Sequence, residues 1–183
     1  MSNLRNLAPW AVFAIGTAVA DWHAAAPAAL VVCVVNAVWR RRDGEPTDEI
    51  AVAAMALFGF LTILGGANPT SPIGAYVSAL TAAAIGCGML ASVLRGHPFT
   101  VPFAQRSTSP EIWDDPRFLR ANKVISLVWA TSVLAMAVAL AVLHAAEPHA
   151  VVAAVAVQIA GFVVPMRFTR LYRARLRTRF AAA

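Results

Sequence analysis

The chain has 183 residues, 60% of them hydrophobic and only 13% charged, with a formal net charge of +6 at pH 7. Soluble domains carry roughly 25% charged residues, so this composition excludes an ordinary water-soluble globule. Two cysteines and no CxxC pair also leave no disulfide framework and no metal-finger spacing to read.

Six apolar blocks lie between polar breaks, at 7–22, 25–39, 49–66, 73–94, 124–143 and 149–168. Crossing a bilayer takes about 20 helical residues. None of the blocks alternates with period two, and all are rich in Ala and Leu, which predicts helix. A segment in hydrocarbon must satisfy its own backbone, which again selects helices. The predicted fold is all-α: a polytopic bundle of six spans forming one integral membrane domain over residues 1–183.

Block 1 follows a single positive residue, Arg5, and a second apolar block comes at once after Asp21-Trp22-His23, which argues against a cleaved leader. Blocks 1 and 2 hold only about 15 or 16 residues, roughly 24 Å of helix. The alternative architecture is therefore four spans plus a re-entrant N-terminal hairpin. Trp10 and Trp39 are expected near the inner interface and Trp22 near the outer one. Asn36 falls about one turn inside Arg40. In "PTDEI", Thr47 is the expected N-cap, with Asp48 and Glu49 complementing the helix dipole. In block 4, Gly74, Ser78, Ala82 and Gly86 recur every four residues, a ridge that lets another backbone approach.

The stretch 95–123, "RGHPFTVPFAQRSTSPEIWDDPRFLRANK", is the longest polar segment. Pro98 and Pro102 predict an extended start. Ser109 before Pro110, and Asp115 before Pro116, each read as a helix N-cap followed by Pro at the first position. Phe99, Val101, Phe103, Ile112 and Trp113 are too apolar for a free linker, so the segment is expected to fold against the bundle or the headgroups. In block 6, Ala150, Ala153, Ala154, Val157 and Gly161 offer a small-residue face. The tail 167–183 is strongly basic, and Phe168, Leu171, Tyr172 and Leu176 form its apolar stripe.

The charge map sets the expected orientation. All 15 Lys and Arg residues lie before block 1, between blocks 2 and 3, between blocks 4 and 5, or at and beyond the end of block 6. Short loops rich in Lys and Arg stay in the cytoplasm. Both termini and 95–123 are thus expected inside, in a bacterial inner (plasma) membrane.

Little in the sequence carries recognisable chemistry. No ionisable group falls at mid-depth, and no GxSxG, Walker or GxGxxG pattern is present. No cofactor and no catalytic residue is predicted. A polar path through the membrane would use Asn36, Ser78, Thr81 and Gln158. His23, His144 and His149 fall on the outer loops and are the weak candidate for a metal site. Arg173, Arg175, Arg177 and Arg179 are read as lipid-binding, since a basic helix directly after a span suits anionic headgroups better than nucleic acid.

The segment from Arg95 to Leu134 resembles small bacterial inner-membrane proteins in which a "PFT" element and a "W…P.F…N..I…W" element bracket the penultimate helix. It is also loosely similar to the intracellular septation protein A group. The matching positions are Pro98, Phe99, Thr100, Trp113, Pro116, Phe118, Asn122 and Trp129. The resemblance implies a role at the cell envelope. With Arg106, Asp114, Asp115, Arg117 and Arg120, these residues make 95–123 the candidate functional segment. The leading reading is a non-enzymatic envelope protein acting through lipid contacts, a homodimer or an envelope protein partner at its cytoplasmic face. The alternatives are a small transporter or channel for a small or uncharged solute, and an enzyme acting on lipid phosphate through those Arg and Asp residues.

Overall fold

The structure, a computed structural model, describes residues 7–45 and 48–181, with side chains as far as Leu176. In chain order, α1 is Ala8–Val19, α2 Trp22–Arg42 and α3 Glu49–Ala67. A 3-10 turn, Pro72–Tyr76, leads into α4, Val77–Leu94. Then come α5, Val101–Gln105, a 3-10 turn at Pro110–Ile112, α6, Pro116–Ala146, and α7, Val151–Ala181. The described residues contain no strand. Five segments are long and apolar enough to cross a membrane: α2, α3, Pro72–Leu94, α6 and Val151–Leu176. The chain is a helical, multi-pass membrane protein.

The helices differ from the apolar blocks at their ends. α2 has 21 residues, because Asp21 is extended (ψ 157°) and starts the helix at Trp22, and because it runs on through Arg40, Arg41 and Arg42. Three cations in a last turn complement the negative end of the dipole, so the charged run prolongs the helix. α2 is long enough to cross unaided. α1 is shorter than its block, 12 residues, and stops where Ala20 turns extended at φ −146°, ψ −169°.

The chain divides into two compact units, 1–88 and 89–183, with the division inside α4. In the first, α1 folds back on α2 and α2 packs on α3. Ala25, Ala26 and Ala29 of α2 are buried, together with Phe58 and Leu61 of α3. Small side chains bring the helix axes close, the contact that replaces the hydrophobic drive between helices in lipid. Trp10 and Phe13 pack on Phe58 with tilted rings, centroids 5.1 and 5.0 Å from it. Trp10 is therefore a core residue, 8% exposed. Trp22 packs on Gly74, and His23 on Gly65. Of the predicted small-residue ridge, Ala82 and Gly86 are buried but Ser78 is exposed. Gly88, outside that ridge, lies against the backbone of Ile50.

In the second unit, α6 and α7 are 31 residues each, about 46 Å. They run antiparallel, with Trp129 level with Thr169 and Met136 against Gly161. The α7 residues turned toward α6 are Ala154, Val157, Gly161 and Pro165; Ala153 of the predicted face is exposed.

The turns follow local chemistry. Asp48 caps α3, its Oδ1 accepting from Ala51 N at 2.7 Å; Thr47, the expected cap, lies outside the described residues. α2 and α4 end alike. Gly44 (φ 68°) and Gly96 (φ 82°) sit one residue past each cap. The pairs Gly44 N–Arg41 O and Glu45 N–Arg40 O match Gly96 N–Val93 O and His97 N–Ser92 O. Both are Schellman motifs, which need the left-handed residue that glycine supplies. α7 continues through its arginines to Ala181.

In the central segment helix forms where an extended start was expected, whereas Ser109, read as a helix cap, makes no capping hydrogen bond and precedes only the 3-10 turn Pro110–Ile112. Val101–Gln105 forms α5, with Pro102 in its first turn, where the missing N–H costs nothing. The predicted extended start is thus replaced by a turn and a short helix. Asp115 caps α6 as expected, accepting from Arg117 N at 2.7 Å, and Pro116 is its first residue.

Candidate functional site

The residues that carry the resemblance split into two groups. Pro98 and Thr100 are buried, Phe99 is half-buried, and Asn122 is buried on α6. They meet at a hydroxyl cluster. Ser92, in the last turn of α4, donates to Met89 O at 2.7 Å and accepts from Phe99 N at 3.2 Å. Ser126, one turn beyond Asn122, accepts from Thr100 N at 3.3 Å. Thr100 Oγ1 and Ser126 Oγ are 2.8 Å apart. Thr100 Oγ1 also reaches Asn122 O at 3.1 Å and Asn122 Oδ1 at 3.3 Å. Asn122 Nδ2 donates to Phe118 O at 2.9 Å.

One assignment gives both the Thr100 and Ser126 hydroxyl protons an acceptor. The Thr100 hydroxyl donates to Asn122, the Ser126 hydroxyl donates to Thr100 Oγ1, and Ser126 Oγ receives the Thr100 N–H. A buried backbone N–H left alone costs about 1–3 kcal/mol, so both serines act as caps for the turn between α4 and α5. All partners in the cluster are amides and hydroxyls. None is a base that would activate a serine or threonine as a nucleophile.

Trp129 belongs to the second group. Its Nε1 donates to Thr169 Oγ1 at 3.1 Å, and Thr169 donates to Pro165 O at 2.7 Å. This links α6 to the turn of α7 whose hydrogen-bond ladder Pro165 interrupts. Trp113 is half-buried, its Nε1 3.4 Å from Thr108 O. Arg106 is exposed, with its guanidinium carbon 5.9 Å from the Phe103 ring centroid. Asp114, Arg117 and Arg120 are exposed, and Asp115 serves as a cap. The fold thus brings Pro98, Phe99, Thr100 and Asn122 together and leaves Arg106, Asp114, Arg117 and Arg120 at the surface.

The polar path candidates do not share a lining. Asn36 borders a small cavity, with room for about one water, formed with Pro9, Cys33, Ala37, Arg40, Ala51, Ala54 and Met55. Neither Ser78 nor Thr81 lines it. Thr81 donates to its own Val77 O at 2.6 Å, the usual way a threonine hides its hydroxyl in a helix. Gln158 belongs to the other unit and is exposed. Arg40, beside Asn36, pairs with Asp48 at 2.9 Å, its side chain 12% exposed. One carboxylate therefore both caps α3 and ties it to α2, a link the sequence analysis missed although the two residues are eight apart. His23 stacks edge-on against Trp22, with ring centroids at 5.9 Å. Among the described residues no three His, Cys, Asp or Glu side chains gather as metal ligands.

The basic tail is helical. Arg167, Arg170 and Arg175 are exposed and Arg173 is half-buried. The side chains of Arg177 and Arg179 lie outside the described residues. Phe168 stacks on Tyr172, with centroids at 5.4 Å, and Leu171 of the same stripe is 61% exposed. Extending the Trp129–Thr169 register puts Lys123 about level with Arg175. The exposed Arg117, Arg120 and Lys123 of α6 therefore share one end of the helix pair with the arginines of α7. Comparison with protein-family models, with curated proteins and with solved structures gave no match.

Proposed function

We propose that the protein is a non-enzymatic component of a bacterial inner membrane that binds anionic lipid headgroups at its cytoplasmic face. The observation that carries this reading is the shared end of α6 and α7, where exposed cations from two antiparallel helices converge. Long Arg and Lys side chains at a helix end reach phosphates while their stems stay in the interface. Each contributes about 1 kcal/mol near an anionic surface. The hydroxyl cluster supports the same reading. It anchors the chain between α4 and α6 and holds the start of α6 in place, and it has no base for catalysis. The envelope role implied by the motif resemblance is part of this proposal.

Native mass spectrometry of the full chain, released from vesicles of mixed phosphatidylglycerol and phosphatidylcholine, tests it. Phosphatidylglycerol should be retained in preference, and less so at high salt. Replacing Arg117, Arg120, Arg170 and Arg175 by Gln should remove the preference, a change of about 4 kcal/mol at most. Equal retention of the two lipids would sink the reading.

The proposed topology keeps six crossings with both termini cytoplasmic. α1 follows α2 back as far as the cavity that Pro9 shares with Asn36 and Arg40, which supports a first crossing despite its length. A cysteine in place of Asn68 or His23 should react with an impermeant thiol reagent added outside, in a chain lacking Cys33 and Cys87. One in place of Ser107 should not. Labelling at Ser107 in intact cells would reverse the orientation, and protection at His23 would return the first two helices to a re-entrant pair.

A further inference from the structure

The apolar run of α7 extends from Val151 to Met166, and Gln158 stands at its centre, seven residues from one end and eight from the other. That is about 11 Å of helix on either side, too far for the amide to reach either interface. Gln158 is exposed, and its amide makes no hydrogen bond with another described residue. It lies on an outward stripe with Val151, Val155 and Phe162, spaced i, i+4, i+7 and i+11. These three are 68%, 48% and 42% exposed. The row toward α6, through Ala154, Gly161 and Pro165, borders this stripe on one side. A primary amide left in hydrocarbon lacks two donors and an acceptor, a loss that a neighbouring helix normally makes good.

We propose that this stripe is a homodimer interface in which α7 packs on α7 of a second copy and the two Gln158 amides pair across a two-fold axis. The choice of a second copy rests on the chemistry of the amide. A carboxamide carries donor and acceptor on one group, so two identical ones in antiparallel array satisfy each other with two hydrogen bonds. A two-fold axis supplies that geometry, because the same patch meets itself. The 4-3-4 spacing of Val151, Val155, Gln158 and Phe162 is the seam of two packed helices, and one polar residue in such a seam fixes register and partner number. The inference needs only that α7 crosses a membrane, so it stands or falls apart from headgroup binding.

The test uses the full chain in phosphatidylcholine vesicles, with Cys33 and Cys87 replaced by Ala. Single cysteines at Val151, Val155 and Phe162 should form interchain disulfides under mild oxidation, and those at Ala156 and Ala160, on the opposite side of α7, should not. Gln158→Leu should weaken dimerisation roughly tenfold, read by energy transfer between labelled chains as lipid is added. Gln158→Asn, which keeps donor and acceptor, should restore most of it. Leu is as apolar as its neighbours, so this loss reports the amide alone. A monomeric chain over the whole dilution range, or undiminished pairing of the Gln158→Leu variant, overturns the proposal.

Discussion

Replacing Ser92 and Ser126 together by Ala should destabilise the second unit by about 2–5 kcal/mol and release the segment that follows α4. The estimate comes from two backbone groups. Phe99 N and Thr100 N rely on these hydroxyls, at 3.2 and 3.3 Å. Each buried donor left alone costs about 1–3 kcal/mol. The two sites are adjacent, so their effects will not add fully. Thr100→Val should cost less than Ser126→Ala. It keeps Ser126 as acceptor for Thr100 N, and the freed Ser126 proton can turn to a carbonyl one helical turn back. The checks are thermal unfolding in one detergent and trypsin cleavage after Arg106, which needs local opening of α5. Unchanged cleavage in the double variant would show that the cluster does not hold the segment.

Gly88→Ala should lower stability by about 1–2 kcal/mol, whereas Gly59→Ala should raise it. Both glycines lie in helices, where Ala is favoured by up to about 1 kcal/mol. Their surroundings decide the sign. A Cβ at Gly59 meets nothing within 4 Å. One at Gly88 would lie 2.8 Å from Ile50 Cα and 3.1 Å from Glu49 O. Those are backbone atoms in the first turn of α3, fixed by the Asp48 cap, and they cannot rotate aside as a side chain would. Overpacking of this kind costs about 1–3 kcal/mol, more than the propensity gained. Unfolding of the two variants in the same micelle separates the effects. A stabilised Gly88→Ala chain would mean that α3 and α4 do not approach there.

The residues most legible in sequence were those whose role is local. Asp115-Pro116 announced the start of α6, with Asp115 as the cap and Pro116 as the first residue. The lengths of α1 and α2 were less legible, because hydropathy marks where charge begins and not where a helix stops. Arg40 to Arg42 are charged and helical. Thr100 and Asn122 were singled out for their pattern, but their meeting was hidden, since 22 residues separate them. Neither Ser92 nor Ser126 was assigned a role. A serine in a greasy helix looks alike whether it bonds its own turn or caps another segment. Ser126 four residues after Asn122 was the available clue, because that spacing puts both on one face. The burial of Trp10 against Phe58 was hidden in the same way, since the two are far apart in sequence.

The brevity of α1 bears on how the protein is made. Twelve residues give about 18 Å of helix, well short of a hydrocarbon layer of about 30 Å. As it leaves the ribosome, α1 cannot partition into lipid as a self-sufficient segment in the way that α3 can. Its apolar rings find their place only against Phe58, which is synthesised some 45 residues after Phe13. α1 is thus seated by the helices that follow it, and its packing waits for α2 and α3 to be made.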